Sequence, residues 1–126
     1  MRFAAAAITI GLVIVAGSAT ADEVISEGTF VGASNHVTVG GVTVKKGTGG
    51  SQVELHDDFS LDGAPDPKLG FGNDGQYDTA SRFSVLNDNT GAQTYDLPDG
   101  IDPSAYNEIY VWCEKFSVPL GVAKLQ

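Results

Sequence analysis

An all-β fold, a single-domain sandwich or barrel of short and mainly antiparallel strands, is what this sequence predicts. Three observations predict it. Apolar and polar residues alternate over short stretches, turn formers separate those stretches, and no segment sustains the i, i+3, i+4, i+7 apolar stripe of a helix. The first 21 residues stand apart from this pattern. Arg2 gives a minimal basic end, Phe3 to Val15 is apolar apart from Thr9 and Gly11, and Ala19-Thr20-Ala21 has the small-x-small form cut by signal peptidase. Residues 1–21 therefore read as a cleaved signal peptide, with cleavage before Asp22, and the protein is expected to be exported, periplasmic or secreted. The apolar run is shorter than the roughly 20 residues a membrane span needs, so no stable membrane insertion is expected after cleavage. A lipid anchor would require a cysteine at the mature start, whereas the single cysteine is Cys113.

The remaining 105 of the 126 residues suffice for one domain, 22–126. In order, Thr29-Phe30-Val31 opens it, followed by Val37 to Val44. The valines change parity across Gly40-Gly41 in that segment. This implies either a two-residue hairpin folding Val39 onto Val42 or a bulge in one continuous strand. Gly47 to Ser51 reads as a turn and Gln52 to His56 as a strand. Asp57 to Asn89 is dense in Asp, Asn, Gly and Pro, with Phe59, Leu61, Leu69, Phe71, Phe83, Val85 and Leu86 as core anchors. Ala92 to Leu97 is a further strand, Pro98-Asp99-Gly100 a turn, and Asp102-Pro103-Ser104 the start of one helical turn. Asn107 to Cys113 and Val118 to Leu125 close the domain, for roughly seven to nine strands in all.

Charge narrows function. Seven basic residues stand against 16 acids; removing Arg2 with the signal leaves six against 16, a net charge of −10. Such a field repels polyanions, so nucleic acid is not an expected partner. There is no Cys-x-x-Cys pair, haem-attachment motif, phosphate-gripping glycine loop or Gly-x-Ser-x-Gly elbow, so hydrolase and kinase chemistry have no support.

Attention therefore falls on Cys113. In an oxidising compartment a single thiol is buried and inert, paired with another molecule, or chemically employed. Strand alternation puts Ile109, Val111 and Cys113 on one face, where the sulfur can pack as a small hydrophobe. Tyr106, Tyr110, Trp112 and Phe116 line the other, as a second buried face, an electron relay or a docking surface. If both faces are apolar, the strand is central in its sheet. His56 carries no motif. A His-His-Cys copper centre lacks a histidine or methionine after Cys113.

Three blocks carry a family resemblance: Gly28-Thr29-Phe30 with His36 to Val42, Phe59 to Asp66, and Ile109 to Gly121 with its Tyr-Val-Trp-Cys core. They resemble the DM13 domain family across almost the entire mature chain. The resemblance implies an all-β, extracytoplasmic domain, found in animals beside a cytochrome-like DOMON domain, with a proposed redox or electron-transfer role. It marks Cys113 as the redox-active group and His36 as its candidate partner. No second domain follows here, so a haem or flavin partner is expected to be a separate redox protein. The cofactor stays open among haem, copper and calcium. The alternative is a non-catalytic extracytoplasmic binding or adhesion module, calcium-stabilised through Asp57, Asp58, Asp62, Asp66, Asn73, Asp74 and Asp78, which offer hard oxygen ligands at turns without EF-hand spacing. These residues imply neither that the chain is an enzyme nor that it is not.

Overall fold

The computed structural model describes residues 22–126, so the signal peptide expected over 1–21 lies outside the described residues. A nine-stranded antiparallel sheet curls into a half-barrel, which fulfils the all-β expectation. Its strands are β1 (Glu23–Gly32), β3 (Gly41–Gly47), β4 (Gly50–Leu55), β6 (Pro67–Asn73), β7 (Gln76–Tyr77), β8 (Ser84–Val85), β9 (Gln93–Asp96), β10 (Glu108–Cys113) and β11 (Val118–Lys124). Short β2 (Thr38–Val39) and β5 (Ser60–Leu61) pair separately. Across the sheet the order is β7-β6-β10-β11-β1-β3-β4-β9, with β8 also on β6. Helical structure among the described residues is confined to two 3-10 turns. Asp78 caps the first, at Thr79–Ser81, and Asp102 the second, at Pro103–Ala105, where a helical turn is expected.

Alternation determines the core. Phe30, Val42, Val44, Val53, Leu55, Leu69, Phe71, Ile109, Val111 and Leu120 face the inside of the curl and are buried. Phe59 and Leu61 close it from the β5 side, where Phe59 meets Phe30 edge to face at 5.5 Å between centroids.

The structure corrects several expectations. The first strand begins at Glu23, six residues before Thr29. The parity change at Gly40-Gly41 is neither a Val39–Val42 hairpin nor a bulge in one strand. Val39 pairs with Ser60 and Val42 with Gly28 and Leu55, so the chain passes from one sheet to another. Gly40 makes the break at φ 106°, a left-handed conformation that glycine adopts without a Cβ clash. Val37 and Val39 are consequently exposed while Val42 and Val44 are buried. Among the anchors, Val85 points outward and is 52% exposed, opposite Lys68 on β6. Tyr106 does not share a face with Tyr110 and Trp112. It precedes β10, just after the second 3-10 turn, and stacks on the core ring of Phe71 at 5.2 Å.

Candidate functional site

β10 lies between β6 and β11, the central position expected of a strand apolar on both faces. Cys113 is its last residue, opposite Pro67 on β6 and Val118 on β11. The chain then turns through Glu114 to Ser117, with Ser117 N–H donating to the Cys113 carbonyl at 2.7 Å and Ser117 itself left-handed at φ 55°. The thiol is 1% exposed. It donates to the carbonyl of Pro65 at 3.3 Å, an interaction across 48 residues of sequence. Pro65 is itself exposed, so the residue whose carbonyl the sulfur contacts also meets solvent.

That loop, Asp62-Gly63-Ala64-Pro65-Asp66, is fastened at both ends. At its start, Asp62 Oδ1 accepts from His36 Nδ1 at 2.8 Å and Oδ2 from Val37 N–H at 3.0 Å. The Val37 N–H, and then the His36 bond, hold the Asp62 carboxyl below its usual range. His36 is presented by a tight turn in which Ser34 and Asn35 are both left-handed and His36 N–H donates to the Ala33 carbonyl at 2.9 Å. At the loop's end, the Asp66 carbonyl accepts from Glu114 N–H at 3.2 Å, and its carboxylate pairs with Lys68 at 2.6 Å. Gly63, at φ 111°, and Asp66, at φ 55°, supply the bends. His36 and Cys113 thus engage the same five-residue loop at different points, the imidazole through Asp62 and the sulfur through Pro65.

The other residues singled out by sequence lie elsewhere. His56 Nε2 and the Thr43 hydroxyl share a hydrogen bond of 2.7 Å, and the His56 ring occupies the space beside Gly41. Several turn carboxylates serve local structure. Asp58 accepts from Gly41 N–H, and Asp78 from Ala80 N–H and the Tyr106 hydroxyl. Asn107 donates to Asp74 at 3.0 Å. Among the described residues, no group of three or more His, Cys, Asp and Glu side chains is arranged to hold a metal ion. Two surface hollows of about 540 and 610 Å³ are lined by neither Cys113 nor His36.

On the outer face of β10, Trp112 lies flat on Tyr77, with centroids 4.2 Å apart and planes 13° apart. Tyr77 meets Tyr110 edge-on at 5.4 Å. Glycines on β6 make room for these rings. A Cβ at Gly70 would meet Tyr77 Cε1 at 2.8 Å, and one at Gly72 would meet Tyr110 Cε1 at 2.7 Å. The Tyr110 hydroxyl donates to Glu108 Oε1 at 3.0 Å, and the same oxygen accepts from Gly75 N–H at 2.9 Å. Burial is the main reason both phenols are pushed up to about 12, supplemented by the Glu108 bond at Tyr110 and the Glu114 charge at Tyr77. Tyr77, Gly70 and Glu108 were not singled out from sequence. The Gly-x-Gly of a strand whose other face is Leu69 and Phe71 was the available signal, because glycine repeated on one strand face leaves room for a neighbour's large side chain.

The arrangement is that of a small β domain built around one guarded thiol and an adjoining aromatic stack. The chain belongs to the DM13 family: the family model described as "Electron transfer DM13" matches residues 29–125. No curated protein and no solved structure matches it.

Proposed function

We propose that this chain is an exported electron-transfer domain, its redox group the Cys113 thiol and its resting state the one in which the Asp62–Asp66 loop covers that thiol. The observation that supports this most directly is the 3.3 Å contact from Sγ to the carbonyl of exposed Pro65, which makes displacement of one short loop a route to the sulfur. His36 acts here as a positioning residue, through Asp62. On opening, the thiol gives its proton to water, and the thiolate attacks a disulfide of a separate redox protein. An S–S bond forms to Cys113, the partner's S–S bond breaks, and the partner's leaving sulfur takes up a proton. Cys113 is thereby oxidised and the leaving sulfur reduced. A thiol from a donor protein restores Cys113 in a second exchange, since one cysteine cannot resolve the mixed disulfide internally.

The test is alkylation of the folded protein by iodoacetamide, followed by intact mass, with oxidised glutathione as the disulfide probe. We expect Cys113 to react faster than global unfolding permits, and faster still in Asp62→Ala, where the loop loses its acceptor for His36 and Val37. Reaction in both proteins only at the rate of global unfolding would refute the proposal. The intact mass of protein recovered from the producing cell tests export, with a chain beginning at Asp22 expected.

A second reading, a non-catalytic extracytoplasmic binding module, is favoured by the 1% exposure of Cys113 in a cluster with Ile109, Val111 and Leu120, where sulfur serves as a small hydrophobe. An unreactive thiol, together with calcium-dependent melting, would support that reading.

A further inference from the structure

We infer that Trp112, Tyr77 and Tyr110 form a one-electron relay on the outer face of β10 and β6, with the Glu108 carboxylate as its proton acceptor. The inference rests on the electron-transfer reading of the domain but not on thiol chemistry at Cys113. Trp112 is half-buried, so its indole is the member of β10's outer face open to a docked oxidant, whereas Tyr110 is 2% exposed. The rings run in contact from Trp112 through Tyr77 to Tyr110. From Trp112 to Glu108 the strand covers about 13 Å, at roughly 3.3 Å per residue.

The two tyrosines differ in what surrounds their hydroxyls. The Tyr77 hydroxyl is buried without a hydrogen-bond partner among the described residues, so none of these is placed to take a proton from an oxidised Tyr77. The Tyr110 hydroxyl already points at a carboxylate oxygen within proton-transfer reach. Glu108 is 5% exposed and lines the hollow of about 540 Å³, a path for the proton to solvent. Both phenols keep their protons at neutral pH, so Tyr110 releases its own only on losing an electron.

A one-electron oxidised metal centre of a partner protein takes one electron from the indole and is itself reduced by one. Tyr110 refills the indole through Tyr77, and its O–H proton moves to Glu108 Oε1. Tyr110 is left as a neutral phenoxyl radical beside a protonated carboxyl, and a one-electron donor reverses both changes.

Trp112 is the single tryptophan of the chain, which makes the experiment direct. The chain is photo-oxidised with a ruthenium polypyridyl complex and a sacrificial quencher, and transient absorption follows the radicals. In the native protein the tryptophanyl signal should give way to a tyrosyl signal. In Tyr110→Phe, which keeps the ring and its packing, the tyrosyl signal should be lost and the tryptophanyl signal persist. Glu108→Gln should slow tyrosyl formation, Tyr95→Phe and Tyr106→Phe should leave it unchanged, and Cys113→Ser should retain the transfer. The relay is overturned if Tyr110→Phe leaves the kinetics unaltered, if Tyr95→Phe or Tyr106→Phe abolishes the tyrosyl signal, or if Cys113→Ser does. Because no alkylation or disulfide is involved, the relay and the thiol proposal fail by separate measurements.

Discussion

Asp62 commits one oxygen to an imidazole and the other to a backbone N–H, and this makes the loop over Cys113 sensitive to acid. Its carboxyl is held below its usual value of 3.8, so the folded state binds this proton less readily than the unfolded chain. The resulting stabilisation is present above the unfolded value and is lost as pH falls through the depressed folded one. Melting temperatures taken from about pH 7 to pH 2 should therefore fall less steeply in acid for Asp62→Asn than for the native chain. An identical acid slope in the two proteins would show that the Asp62 contacts contribute nothing. At this scale the sequence was informative about identity and silent about contact. Cys113 and His36 stand out in it, but that Pro65 covers the sulfur and Asp62 binds the imidazole depends on loop residues 48 positions from Cys113 and 26 from His36.

Gly40 shows what a single backbone angle does for an element. With φ at 106°, a Cβ there would fall among backbone atoms of Asp58 and Phe59, so strain and overlap act together. Gly40→Ala should destabilise the domain by more than about 1 kcal/mol, whereas Gly49→Ala, with no atom within 4 Å of its added methyl, should stay within about 0.5 kcal/mol; urea midpoints compare the two. The strands themselves were readable where a two-residue period met one-sided burial, as at Ile109, Val111 and Cys113. Reading failed where something outside the strand changed the phase. The 3-10 turn at Pro103–Ala105 moves Tyr106 off the parity of Tyr110, and the pairing of β2 with β5 gives Gly40 its role. Neither is encoded in local alternation. Val85 was misplaced for a related reason: a two-residue strand has too few positions to reveal which side is buried.

All four tyrosines of the molecule are shifted in the same direction, upward from 10.0, Tyr77, Tyr95 and Tyr110 chiefly by burial and Tyr106 chiefly by its bond to Asp78. A raised folded value means the native state holds these protons more tightly than the unfolded chain. The associated stability is complete below pH 10 and declines as pH rises toward the value of about 12 reached by Tyr77 and Tyr110. Tyrosinate absorbance should consequently lag during alkaline titration and then rise together with the loss of β-sheet circular dichroism. Four phenols ionising near pH 10 with the circular dichroism intact would contradict the burial described for Tyr77, Tyr95 and Tyr110 and the Asp78 bond described for Tyr106.

The sheet order also has a temporal consequence. β1 is hydrogen-bonded on one side to β3 and on the other to β11, with Phe30 opposite Ala123. As a chain emerges from the ribosome, β1 can find β3 early, but its remaining edge stays bare until residues 118–124 have been synthesised. An unpaired edge of this kind invites capture by other strands. The interval between making the two strands is therefore when a holding chaperone would matter most to the yield of native protein.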